Sequence, residues 1–236
     1  MSFNDGDFLK IDYTMWDAAT NEIIYTTNKD VAKKANIYDD KIVYNQSVVI
    51  LGSNNIIKGL NDALKNMKEN ETKKIELEPK DAFGERNESL VYVVPLSKLK
   101  SQNINPYPGM SVDVDNTRMI VKSVNSGRVV LDANHPLAGK KLIYEVTLVK
   151  QLKTINEKIE GIAEMYNIKP SKIEVNNSNA VISFNDSVSK NADYFVAKAE
   201  MIAGIFTYLK EISKVEVKEE YLKPNLQTQA EPKTKK

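Results

Sequence analysis

The sequence predicts an α+β chain assembled from separately patterned parts. Residues 8 to 77 switch between short apolar runs of strand character and brief helical spacing. From Asn87 to Asp132 the runs shorten, become rich in β-branched residues and are crowded by turn signals. After Lys153 apolar residues return at helical spacing. A length of 236 residues exceeds one typical domain and fits two or three small ones.

Each element has its own signal. Phe8 to Tyr13 alternates, with Phe8, Lys10 and Asp12 on one face and Leu9, Ile11 and Tyr13 on the other. A turn at Asp17 to Asn21 leads to a second strand over Asn21 to Thr27. "NKDVAKKAN", from Asn28 to Asn36, is rich in lysine and alanine and opens on a capping residue, so a short helix is expected. Ser47 to Leu51 is a β-branched strand ending at Gly52. Ile56, Leu60, Ala63, Leu64 and Met67 have helical spacing, and that helix is expected to begin near Lys58. Lys73 to Leu77 is a strand that ends at Pro79.

The middle section carries strand runs over Leu90–Val94, Ser111–Val114, Arg118–Val124 and Arg128–Leu131, punctuated by "NPYPG" and by Asn125-Ser126-Gly127. "NHPLAGK" makes a loop before a strand over Leu142 to Val149, whose Leu142, Tyr144, Val146 and Leu148 share a face. Ile155, Ile159, Ile162 and Tyr166 then mark a helix, and Lys172–Asn176 with Ala180–Phe184 a hairpin. Phe195, Ile202, Ile205, Leu209 and Ile212 stripe a long helix whose far side is a candidate dimer seam. A last strand lies within Ser213 to Glu219. From Lys223 onward the chain is polar and is expected to be disordered. The boundaries read as 1–86 with 133–153, an inserted β-rich unit over 87–132, a C-terminal αββαβ unit over 154–222, and a tail over 223–236.

Composition narrows the function. Lys+Arg 33 against Asp+Glu 32 gives no electrostatic reason to expect nucleic acid or an anionic membrane as partner. Cysteine is absent and His135 is the single histidine, so no disulfide, no metal site and no cofactor are expected. The acidic start lacks an apolar signal core, and no window approaches 18 apolar residues, so a cytoplasmic protein is expected. Mixed charges over Lys29–Lys34 read as a solvated helix face, and His135 as a residue that holds its own loop.

Four pieces, "KIDYTMWD", "LGSNNIIKGLNDAL", "EPKDAFG" and "LIYEVTLVK", together resemble the FKBP-type peptidyl-prolyl isomerases. The middle section resembles the subfamily with a domain inserted in the flap, known from the bacterial chaperone SlyD; "PGM" and "NHPLAGK" belong to that likeness. "TTNKDVAKKANIY" and the extra C-terminal unit are similar to the archaeal long-type members. The likeness is close over roughly residues 5 to 152 and loose beyond. It implies an antiparallel half-barrel around the short helix near Lys58. It also implies a proline pocket: Tyr13, Tyr25, Ile57, Phe83 and Tyr144 stand at catalytic positions, and Val49, Ile56, Leu60, Ala82 and Leu137 at substrate-binding ones. The Ile57 N–H would hold a substrate carbonyl. At the position of Tyr25 the family usually has Asp, at that of Phe83 often Tyr, and at that of Leu60 sometimes Trp.

The implied chemistry suits this composition. An X–Pro bond turns over a barrier of about 18–20 kcal/mol because resonance flattens the amide. An apolar aromatic pocket desolvates the polar planar form and favours the twisted one, with no nucleophile, metal or base. The expected activity is therefore X–Pro isomerisation on unfolded or proline-containing polypeptides, with folding help. The alternative is a holdase or peptide-binding module whose isomerase site has decayed, motivated by Tyr25.

The run Leu90 to Val94 raises a separate question, core or surface. A unit of about 45 residues cannot bury both faces of every strand. Some of Leu90, Val91, Val93, Leu96, Leu99, Met110 and Met119 should stay exposed, and exposed apolar patches mark binding sites. The resemblance implies the same use, a surface for unfolded chains.

Overall fold

The computed structural model describes residues 2–115, 117–185 and 191–221; the tail expected to be disordered lies outside the described residues. The chain divides into two units. The first holds Asp12–Asn45 and Asn54–Leu148 with the first few residues; the second holds Asn4–Ile11, Gln46–Ser53 and the residues from Val149 on. The division therefore assigns two N-terminal segments to the C-terminal unit, which the sequence boundary at 153/154 does not.

The main sheet has the order β2-β1-β9-β4, with β3 also paired to β1. Its strands are β1 (Phe8–Asp17), β2 (Ile23–Thr26), β3 (Ser47–Ile50), β4 (Glu71–Leu77) and β9 (Leu142–Leu152). β1 outlasts the expected run by four residues because Met15 and Asp17 continue its buried face. Between β2 and β3 sits helix α1 (Lys29–Lys34), capped by the Asn28 side chain, which accepts from the N–H groups of Asp30 and Val31. Helix α2 (Lys58–Leu64) starts where expected and buries Leu60 and Leu64. A 3₁₀ turn over Pro79–Asp81 follows β4, as proline at its first position allows.

Within the first unit the middle section forms a separate four-stranded sheet, β5-β8-β7-β6. Its strands are β5 (Val91–Pro95), β6 (Ser111–Val114), β7 (Thr117–Asn125) and β8 (Arg128–Asp132), with the short helix α3 (Leu96–Lys100) after β5. β7 and β8 pair Asn125 with Arg128 across a two-residue turn. Ser126 and Gly127 both take positive φ there, 46° and 75°, the geometry a tight hairpin needs. Leu99, Val112, Val114, Met119, Val121, Val129 and Leu131 close this sheet's own core.

The second unit carries α4 (Ile155–Met165), β10 (Lys172–Asn176), β11 (Asn179–Phe184), α5 (Ala192–Tyr208) and β12 (Lys214–Glu219). β10 and β11 form the expected hairpin, while β12 pairs with β11 in parallel after the α5 crossover. The α5 stripe differs from the expected one. Phe195 is exposed, and the inward face is Tyr194, Met201 and Ile205. Leu209 and Ile212 are buried but lie past the helix end, where the chain has already left helical spacing. Phe8, Val48 and Ile50 share the core of α4 and α5. Among the described residues no helix is long and apolar enough to cross a membrane.

Candidate functional site

The site starts from one face of the main sheet. β4 and β9 pair so that Ile75 faces Tyr144 and Leu77 faces Leu142, and residues directly opposed share a face. Leu142, Tyr144, Val146 and Leu148 are all buried, as their alternation requires. α2 approaches this face at Leu77. A Cβ at Gly59 would overlap the Leu77 side chain and lie 3.1 Å from the Asp81 carbonyl oxygen, so only glycine lets the helix come this close.

Tyr13 brings the aromatic residues together. Its ring centroid is 5.5 Å from that of Tyr25 and 5.7 Å from that of Tyr144, both pairs tilted by about a third of a right angle. Burial pushes the Tyr144 phenol well above its ordinary range. Burial first, and then the neighbouring Tyr44 phenol, raises that of Tyr25. Both phenols stay neutral at physiological pH, so the wall they form is apolar with uncharged hydroxyls. The segment that carries Tyr25 is fixed by hydroxyl bonds: Tyr13 N donates to Thr27 Oγ1 at 3.0 Å, Thr27 Oγ1 donates to Asp12 at 3.0 Å, and the Thr14 and Thr26 hydroxyls meet at 2.9 Å.

Ile57 is the N-cap residue of α2, with extended backbone. Among the described residues its N–H donates to no backbone carbonyl, while its own carbonyl accepts from Asn61 N at 3.0 Å. Ile56 and Ile57 are half-buried and Leu60 is buried. Lys58, the first residue of α2, pairs with Asp81, which holds the Pro79–Asp81 turn against the helix; the Lys58 bond keeps the Asp81 carboxyl below its ordinary range.

Two loops meet beyond that turn. Gly84 N donates to Pro79 O at 2.8 Å, and Gly139 N donates to Gly84 O at 2.9 Å. The rings of Phe83 and His135 stack at 4.4 Å and 4°. His135 Nδ1 accepts from Leu137 N at 3.1 Å, so the histidine holds its own loop. Ala82, Phe83 and Leu137 are half-buried on these loops. The structure thus joins Tyr13, Tyr25 and Tyr144 by ring contacts, and joins the Ala82–Phe83 and Leu137 loops to each other. Val49 lies on β3, paired with Leu9 of β1, in the second unit.

On the insert, Leu99 and Met119 correct the expected surface. Both are buried, because α3 turns Leu99 inward and Met119 shares the inner face of β7 with Val121. Leu90, Val91, Leu96 and Met110 are half-buried, and Val93 is 61% exposed. Two exposed aromatics were not singled out from the sequence, Tyr92 at 41% and Tyr107 at 62%. Tyr107 had a signal: the prolines on either side hold it out of any strand ladder. Also missed were Arg86, Asp132 and Asn134 at the root of the insert. No apolar period marks them.

A family model described as "FKBP26, IF domain" matches residues 92–137. The chain is 29% identical over 141 residues to the short-type peptidyl-prolyl cis-trans isomerase of Methanocaldococcus jannaschii, covering 60% of this chain and 88% of that one. It is 32% identical over 130 residues to the FKBP-type peptidyl-prolyl cis-trans isomerase SlyD of Treponema pallidum, covering 53% of this chain and 72% of that one. Against SlyD of Pasteurella multocida the identity is 30% over 125 residues, covering 51% and 62%. The chain belongs to the FKBP-type peptidyl-prolyl cis-trans isomerases.

Proposed function

We propose that this chain turns X–Pro bonds at the face lined by Tyr13, Tyr25 and Tyr144, and that its insert holds non-native polypeptide nearby. The carrying observation is the three-ring wall, with neutral phenols at two of its members and no charged side chain among them. Such a wall favours the twisted, less polar amide over either planar form. Ile56 and Ile57 at the start of α2, with Ala82, Phe83 and Leu137 on the two loops, would complete the pocket, and the Ile57 N–H would take the substrate carbonyl. On the insert, Tyr92, Val93 and Tyr107 are the exposed apolar residues, with Leu90, Val91, Leu96 and Met110 beside them, and they would bind unfolded chain weakly. Tethering a client there raises the effective concentration of its prolines at the pocket. A cytoplasmic place of action is part of this proposal.

The test compares two substrates. Phe83→Ala or Tyr144→Ala should cut turnover of a proline tetrapeptide by about 10- to 100-fold, the scale of one or two lost wall contacts, while suppression of client aggregation survives. Deleting 87–132 should spare the tetrapeptide and slow a refolding protein limited by proline isomerisation. Unchanged tetrapeptide turnover in both point variants sinks the pocket assignment. The holdase alternative, motivated by Tyr25, requires a wild-type chain that prevents aggregation and does not turn the tetrapeptide. A homodimer through the C-terminal unit is supported by exposed Phe195, Val196 and Phe206 on α5, and sedimentation at a single species of monomer mass excludes it.

A further inference from the structure

We propose that Arg86, Asp132 and Asn134 are positioning residues: they key the insert to the loops carrying Phe83 and His135, so that a held client meets the pocket in one orientation. This rests on reading the insert as the client-binding part. The chain crosses between the two sheets of the first unit twice, near Arg86 on the way out and near Asp132 on the return. A loose joint would leave these crossings solvated and untied. Here Asp132 is only 3% exposed, and its carboxylate meets three close donors and a fourth, more distant cation. Asn134 N and Nδ2 donate to Oδ1 at 3.0 and 2.8 Å, Arg86 Nη1 lies 2.8 Å from Oδ2, and Lys122 Nζ lies 3.6 Å from it. Of the roughly four acceptor sites a carboxylate offers, three are filled at hydrogen-bond distance, and the Lys122 ammonium adds a longer ion pair.

The donors belong to three residues on different segments. Lys122 is the extra residue of a bulge in β7, where pairing slips between Val121 and Ser123, and bulges re-aim side chains in this way. Asn134 clamps the outgoing strand: its Oδ1 accepts from Asn87 N at 2.8 Å and its Nδ2 donates to Asn87 O at 2.9 Å. Arg86 also packs under the pocket loop, where a Cβ on Gly139 would sit 3.2 Å from its own Cβ. Asp132 and Asn134 lie three and one residues before His135, and Gly84 and Arg86 one and three residues after Phe83. The joint and the Phe83–His135 stack are therefore two ends of the same two short segments.

Burial works to raise the Asp132 carboxyl, and the Asn134 and Arg86 donors outweigh it, leaving the group below its ordinary range and charged. Buried ion pairs add little net stability, because desolvation offsets attraction. They do impose direction, since charge-assisted hydrogen bonds to a carboxylate add geometric specificity. Orientation matters to a tethered reaction, because linkage helps only where both sites can be engaged together.

The experiment uses the full chain. Arg86→Met keeps the apolar stem against Gly139 and removes the guanidinium; Arg86→Lys restores a cation. On a proline tetrapeptide, Arg86→Met should match wild type. On a refolding protein limited by proline isomerisation, its kcat/KM should fall about tenfold, mainly in KM, as expected for lost engagement geometry. Arg86→Lys should recover most of that loss. Affinity for a carboxymethylated, permanently unfolded protein should be unchanged. Asn134→Ala, which opens the Asn87 clamp and leaves the Arg86 pair, should give the same split if Arg86→Met lowers the melting temperature. Wild-type protein turnover in both variants overturns the proposal, as does an equal loss of unfolded-chain binding. If deleting 87–132 also spares protein turnover, the client-binding reading itself is wrong.

Discussion

Gly59 shows how one missing side chain sets the geometry of the candidate pocket. Alanine is the better helix former by about 1 kcal/mol. Yet a methyl at this point of α2 would overlap Leu77 and crowd the Asp81 carbonyl, and overpacking of that kind costs about 1–3 kcal/mol. The steric term wins, so Gly59→Ala should lower the melting temperature despite its helix propensity. It should also lower tetrapeptide turnover, because moving α2 moves Ile57 and strains the Lys58–Asp81 pair. A stability gain in a thermal melt would mean that Leu77 swings away freely. The sequence motif marked Gly59 and its neighbours, and it marked Tyr13, Tyr144 and Phe83. It could not show that Tyr25 has ring contact with Tyr13 while Phe83 stacks on His135, because those partners are 12 and 52 positions away and only the folded sheet brings them together.

At the level of elements, alternation and capping made most boundaries legible: Asn28 opens α1, α2 begins at Lys58, and β6 spans the expected four residues. α3 was not legible, since five residues after Pro95 hold little more than one turn and leave no period to read. The parallel pairing of β12 with β11 was equally hidden, because a strand's sequence does not state its partner. α4 carries an element-scale consequence that can be tested. Its capping box sets Thr154 Oγ1 on Glu157 N at 3.2 Å, while Glu157 accepts from Thr154 N at 3.1 Å, Lys150 Nζ at 3.1 Å and Lys153 N at 3.0 Å. These bonds, the Thr154 N–H foremost, pull its carboxyl from the ordinary 4.5 to about 2. Glu219 also falls from 4.5 to about 2: burial opposes this, and Lys198, Tyr194 and Tyr221 overcome it. Depressed carboxylates give stability that is complete above the unfolded value and lost as pH drops through the folded one. The melting temperature should thus fall as pH goes from about 4.5 to about 2. Glu157→Gln should flatten part of that slope and leave the neutral-pH activity alone. An unchanged slope in the variant would remove Glu157 from the account.

At the scale of the whole molecule, the change in periodicity after Lys153 suggests a separable C-terminal unit, and a chain ending at Leu152 is the direct trial of it. The core of the second unit speaks against a clean cut. Phe8, Val48 and Ile50 are buried in one cluster with Ile159, Ile162, Ile182, Phe184 and Ile205. Removing everything after Leu152 would return those three side chains to water, and each large apolar side chain contributes about 1.5–3 kcal/mol when fully buried. Three together are a large part of the roughly 5–15 kcal/mol that holds a typical domain. The shortened chain should therefore melt well below the full one and bind a hydrophobic dye. The sign of a substitution separates this cause from a general loss of length. In the full chain, Phe8→Lys places a charge in a closed core and should destabilise by several kcal/mol, as unpaired buried charges do. In the chain ending at Leu152 the same position faces solvent on the outer side of β1, so Phe8→Lys should raise solubility and reduce dye binding at little cost in melting temperature. Equal damage in both chains would mean that the Phe8 side of β1 stays covered without the C-terminal unit, and the boundary at 153/154 would then stand as a true domain boundary.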